Sequence, residues 1–163
     1  MSRFLISPVR SAPDLAATVR LFEAYASSLT VDLAYQDFSR ELAEMPGKYA
    51  PPAGALLMAR DSNNGDAIGC VGLRPLKPDD CCEMKRLYVA PQGRGLGVGT
   101  ALVSAVIRAA MRIGYREIRL DTLPTMVEAI ALYRKAGFVE IDAYYDTPVG
   151  CTTFMARSLG QEL

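Results

Sequence analysis

The chain has 163 residues, half of them apolar, with 18 acidic and 18 basic side chains and no histidine. That length fits one compact domain with a real core, residues 1–163 as a single unit. Balanced charge gives none of the positive field that nucleic acid or an anionic membrane would call for, and without imidazole Ser-His-Asp, Cys-His and HExxH zinc chemistry are excluded.

In chain order, "MSRFLISPVR" lacks the long apolar core of a signal peptide, and "AGALLMA" (53–59) is too short to cross a bilayer, so a cytoplasmic protein is expected. "RFLISPV" (3–9) alternates as an opening strand, and Ser11-Ala12-Pro13-Asp14 starts a helix running to about Ser28. A second short helix is expected over Tyr35–Glu44, then a loop at "MPGKYAPPAG" (45–54). "ALLMAR" and "AIGCVGLRPL" flank "DSNNGD", a hairpin turning at Asn64-Gly65. "CEMKRLYV" (82–89) reads as the next strand. From Gly97 to Ile113 the apolar residues fall at helical spacing, and Gly114 closes the helix. "REIRLDTL" (116–123) is strand-like, "TMVEAIALYRKAG" (125–137) is a helix, and "FVEIDAYY" and "CTTFMARSL" supply two closing strands. Strands mixed with helices in this order imply an α/β sheet that is antiparallel in part.

Cys70, Cys81, Cys82 and Cys151 have neither CxxC spacing nor histidines to complete a metal set, and read as reduced, mostly buried thiols with no metal. Any acid or base must be Glu, Asp, Tyr, Lys, Cys or ordered water.

Gln92-Gly93-Arg94-Gly95-Leu96-Gly97-Val98-Gly99 follows a strand and opens a helix. The first helical turn leaves free N–H groups and a positive dipole end, and glycines let an anion approach the backbone closely. A phosphate cradle fits that placement. A P-loop spacing fails because Val98 and Thr100 stand where its second glycine belongs and no lysine follows; a GxGxxG spacing fails at the same two positions. A turn with no ligand is the plain alternative, but glycine in a first helical turn is unfavourable by up to about 1 kcal/mol relative to alanine.

Here the residues resemble the GCN5-related N-acetyltransferases, whose [QR]xxGx[GA] signature is met by Gln92 to Gly97, after the strand "MKRLYV" and before a helix, with "AIALYRKAGF" (129–138) similar to the family's AxxLYxxxGF segment. The similarity follows the element order over nearly the whole chain. It implies a single-domain, mixed, mostly antiparallel sheet of about seven strands flanked by helices, splayed between "EMKRLYV" and "REIRLDTL" to admit the pantetheine arm of acetyl-CoA. It implies that the backbone of Gln92, Gly93, Arg94, Gly95, Leu96, Gly97, Val98 and Gly99, with Thr100, holds the pyrophosphate of coenzyme A, and that Leu87, Tyr88 and Val89 run beside the pantetheine. Tyr133 matches the tyrosine near the departing sulfur, and Glu83 is the candidate base. Met126 stands where many relatives carry Asn, leaving an apolar wall on that side.

Lys48, Tyr49, Tyr144 and Tyr145 are the expected substrate contacts. The implied activity is acetyl transfer from acetyl-CoA to a primary amine of a small molecule or peptide by direct attack, without metal or covalent enzyme intermediate. A non-catalytic acyl-CoA-binding or sensor module is the alternative. "CTTFMARSL" would offer a pairing edge for a homodimer.

Overall fold

Residues 2–160 are described by a computed structural model of the chain. Its strands are β1 (Phe4–Pro8), β2 (Ala55–Asp61), β3 (Ala67–Pro75), β4 (Cys81–Val89), β5 (Glu117–Thr122), β6 (Val139–Ile141) and β7 (Thr153–Ser158). They form one seven-stranded sheet in the order β1-β2-β3-β4-β5-β7-β6. Only β4 and β5 are parallel neighbours; every other pair is antiparallel. The helices are α1 (Ala12–Ser28), α2 (Phe38–Ala43), α3 (Val98–Ile113) and α4 (Val127–Lys135).

Side-chain alternation builds two apolar layers from the same strands. In β2, Leu57 and Ala59 join Leu102, Val103 and Val106 of α3 on one face, while Leu56 and Met58 join Ala17, Leu21 and Phe22 of α1 on the other. A strand covered on both faces reads as a continuous apolar run, and "ALLMA" is such a run. The helix ends follow their caps. Ser11 Oγ accepts a bond from the Asp14 amide at 3.2 Å at the start of α1, and Gly114, at φ +108°, ends α3.

Three expectations change. Tyr35–Glu44 is not one helix: a 3₁₀ turn over Leu33–Gln36 is separated from α2 by Asp37, whose φ of +58° breaks the helical path. Of "FVEIDAYY", only Val139–Ile141 pairs with β7, and Tyr144 and Tyr145 lie in the following loop. "CTTFMARSL" is not an edge: β7 lies between β5 and β6, so its backbone is already partnered on both sides.

Candidate active site

β4 and β5 pair over only three positions, from Cys81 opposite Glu117 to Glu83 opposite Arg119. Beyond Glu83 they diverge, and Met84–Val89 and Leu120–Leu123 become opposite walls of a cleft of about 710 Å³. A bulge in β4 helps to open it. Cys70 stands opposite Tyr88 and Gly72 opposite Lys85, so Arg86 and Leu87 together face Val71. Arg86 takes the extra step at φ +61°, a conformation unfavourable by about 1–2 kcal/mol for a residue with a Cβ. Its side chain holds it there: Nε and Nη2 donate to the two oxygens of Glu41 at 3.0 and 2.9 Å, and the guanidinium lies 5.0 Å from the Phe38 ring centre.

One end of the cleft is the glycine loop. After a short turn at Pro91–Gly93, Gly95 (φ +79°) and Gly97 (φ +83°) lead into α3, which has no side-chain cap. Among the described residues, the amides of Gly95 to Thr100 have no backbone acceptor. These donors suit the pyrophosphate of coenzyme A, and the cleft beside β4 suits its arm. Gly93 is needed for a different reason: a Cβ there would come within 3.0 Å of the Ile68 carbonyl oxygen. Leu87, Tyr88, Val89, Gly93, Arg94, Gly95, Gly97, Val98, Gly99 and Thr100 all border the cleft, whereas Gln92 and Leu96 do not. Met126 and Val127 add an apolar stretch to the wall.

Tyr133, on α4, is 6% exposed and packs edge-on against Phe138 at 5.9 Å between ring centres. Its ring belongs to the core, yet it lines the cleft, and among the described residues its hydroxyl has no hydrogen-bond partner. Burial pushes its phenol well above the ordinary value, with the Tyr25 hydroxyl and the Asp121 carboxylate adding to the shift.

Glu83 sits where the strands part, 1% exposed and off the cleft wall. Arg74 Nε donates to its Oε1 at 2.8 Å, and the Tyr144 hydroxyl donates to its Oε2 at 2.6 Å. Two carboxylates do reach the wall, Glu128 of α4 beside the Met126–Val127 stretch and Asp121 of β5 at the fork. Lys85 Nζ lies 3.1 Å from its Oδ1, and the Tyr145 hydroxyl donates to its Oδ2. Burial raises the Asp121 carboxyl, but the Lys85 ammonium and the hydrogen bonds from Tyr145 and Lys85 outweigh this and hold it below the ordinary range. Burial likewise pulls the Lys85 ammonium down, against the pull of Asp121 and Glu83. Tyr144 and Tyr145 pack edge-on at 5.7 Å, each against Phe154 at 5.2 Å. Two tyrosine–carboxylate pairs thus stand side by side at the fork.

Tyr49 is a core residue instead of an open loop contact. It is 2% exposed, its ring fills the space beside Gly72, and its hydroxyl donates to Glu41 Oε2 at 2.9 Å. Lys48 is exposed and borders a second cavity of about 270 Å³. Cys70 and Cys82 are fully buried, and burial pushes the Cys82 thiol up to about 12, so neither is a ready nucleophile. Sequence reasoning missed Gln36, Lys85 and Asp121. The signal was present: "KR" inside an apolar central strand and an aspartate in the strand beside it mark charges that burial would make costly unless paired.

A forked sheet with a glycine-lined cradle at one end of the fork defines an acyltransferase that draws on a coenzyme A thioester. Residues 18–138 match the Acetyltransferase (GNAT) family. An uncharacterized N-acetyltransferase of Schizosaccharomyces pombe is 40% identical over 160 residues, covering 98% of both chains. A Klebsiella pneumoniae structure described as an acyl-CoA N-acyltransferase is 28% identical, with a TM-score of 0.73 over 96% of this chain and 98% of its own. A phosphinothricin acetyltransferase of Sinorhizobium meliloti, solved in complex with acetyl-CoA, shares the fold at 21% identity, with a TM-score of 0.71 over 97% of this chain and 89% of its own. The chain belongs to the GNAT family and is an acetyl-CoA-dependent N-acetyltransferase. No helix among the described residues is long and apolar enough to cross a membrane.

Proposed function

We propose that the protein acetylates a primary amine of a small molecule or peptide by direct attack on the thioester, with the acceptor nitrogen entering the cleft beside Asp121. One observation carries the reading: Tyr133 and Asp121, a free phenol and a carboxylate, border the same cleft as the bare edge of β4. The amine lone pair bonds to the carbonyl carbon as charge develops on its oxygen, where a main-chain N–H of Leu87–Val89 would meet it. Once that C–N bond forms, the nitrogen becomes acidic, so even a carboxylate of low pKa can take its proton. Collapse breaks the C–S bond, and Tyr133 gives its proton to the leaving sulfur. Products are the amide and free thiol; the proton on Asp121 returns to Tyr133 through solvent.

The transfer from Tyr133 is uphill for an ordinary phenol and thiolate, with pKa values of about 10 and 8.5. In the same low-dielectric surroundings the thiolate is destabilised as well, which strengthens it as an acceptor. In this reading Glu83 acts behind the wall. It orders Arg74 and Tyr144. Lys48 contributes only at the outer rim. The test is thiol release from acetyl-CoA against a broad amine library, with the acetylated product identified by mass. Activity with esters or thiols and with no amine would overturn the proposal.

A further inference from the structure

Gln36, at the end of the short turn before α2, borders both the cleft and the second cavity that Glu41, Tyr49 and Arg74 help to line. Its carboxamide plugs the junction, and its partners are sorted by charge. Oε1 accepts from Lys85 Nζ at 3.2 Å and Arg86 Nη1 at 2.8 Å. Nε2 lies within hydrogen-bond distance of Asp121 Oδ2 at 3.3 Å, the Tyr145 hydroxyl at 3.2 Å and the Tyr35 hydroxyl at 3.2 Å.

This surrounding is richer than an amide can use. An amide nitrogen has two hydrogens and here has three acceptors in reach, whereas an alkylammonium group has three N–H donors. The amide oxygen is neutral yet faces two buried cations, for which a carboxylate is the stronger partner. The positive and negative sides of the pocket therefore match a molecule that carries an ammonium and an oxyanion a bond or two apart. The turn that bears Gln36 is four residues long and ends at Asp37 in the left-handed region, so it can shift without disturbing a strand or a long helix.

We propose that the acceptor is a compact zwitterion, a free amino acid or a close analogue with an oxyanion beside the amine, and that it binds by displacing the Gln36 carboxamide. This rests on the reading that the acceptor nitrogen meets Asp121. Lys85 and Arg86 take the oxyanion; Asp121, Tyr145 and Tyr35 take the ammonium, which releases one proton to solvent to give the neutral amine that attacks. The amine then lies in the cleft shared with Leu87–Val89.

The experiment matches each common amino acid with its carboxamide and its decarboxylated amine. Thiol release from acetyl-CoA is measured for every compound, and titration calorimetry follows binding of the same compounds to the CoA-loaded protein. The expected result is a preferred amino acid whose kcat/KM exceeds that of both matched analogues by on the order of 100-fold. Equal or better turnover of the decarboxylated amines overturns the zwitterion and leaves amine acetylation standing. Binding of an amino acid, but not of its analogues, without any turnover supports the pocket and overturns the transfer chemistry. Absence of both overturns the pocket. Gln36→Ala, which removes the plug, is expected to lower the KM for the preferred amino acid by about fivefold with no matching change for acetyl-CoA; a rise instead means that Gln36 only braces the site, and overturns displacement.

Discussion

Lys85 Nζ and Asp121 Oδ1 lie 3.1 Å apart, two positions beyond Glu83 and Arg119, the last pair of the β4–β5 ladder. The pair does across the fork what the ladder does above it, and both side chains are almost wholly out of water, 4% and 7% exposed. Removing one partner leaves a buried charge without its mate. Asp121→Asn should destabilise the fold by about 3–5 kcal/mol, and Lys85→Met combined with it should restore part of that loss. Denaturant unfolding of the single and double variants checks this; additive losses would mean that the two groups do not act as a pair.

Tyr133→Phe keeps the ring that packs on Phe138 and removes only the hydroxyl in the cleft. The expected outcome is a fall in kcat of about 10²-fold, with little change in the KM for acetyl-CoA or in melting temperature. Steady-state kinetics with single-turnover analysis reads the split. An unchanged kcat would remove Tyr133 from the chemistry.

Gly97→Ala adds a Cβ that meets open space but sits at φ +83°. The strain, about 1–2 kcal/mol, falls on the loop whose unpaired amides suit a phosphate. Affinity for coenzyme A should drop about tenfold, and affinity for a pantetheine fragment without the nucleotide should hold. Equal losses for both ligands would place the effect elsewhere.

Met126 is the N-cap of α4, with a non-helical φ of −86° and ψ of +57°, and offers no side-chain cap. Met126→Asn should cap the helix and stabilise the protein by about 1 kcal/mol, read as a shift in chemical denaturation. No gain would mean that the local geometry does not present the Asn oxygen to the first turn.

Glu41 and Asp121 are both held below their ordinary values of 4.5 and 3.8. For Glu41, burial raises the carboxyl, but hydrogen bonding and charge from Arg86, aided by Tyr49 and Arg74, prevail. A carboxyl with a lower folded than unfolded pKa stabilises the fold above the unfolded value and loses that contribution as pH falls through the folded one. The melting temperature should therefore drop as pH falls below about 4, and less so in Glu41→Gln. A parallel acid limb in the variant would rule out Glu41 as a source.

The fold was written in local signals: Asn64-Gly65 at a hairpin, Gly97 and Gly114 at the two ends of α3, and alternation in β1. The cradle was legible because its residues are contiguous. The polar cluster at the fork was not, because Gln36, Lys85 and Asp121 come from three elements and meet only where β4 and β5 part. Glu83 drew attention as the acid at the start of β4, while Asp121, which borders the cleft, stands one strand over. The "KY" of the Pro-rich loop looked open to solvent, but Tyr49 fills the gap beside Gly72, a match between two residues 23 positions apart in the numbering.

The bulge at Arg86 has an arithmetic consequence. In a regular strand neighbours point to opposite faces, so Lys85 and Arg86 could not both reach one acceptor atom. The extra residue resets that parity, and both cations converge on Gln36 Oε1. Shortening β4 by one residue would restore the alternation and send one of the two positive charges to the far side of the sheet. The charge of the pocket is in this sense counted out by backbone length as much as chosen by side chain.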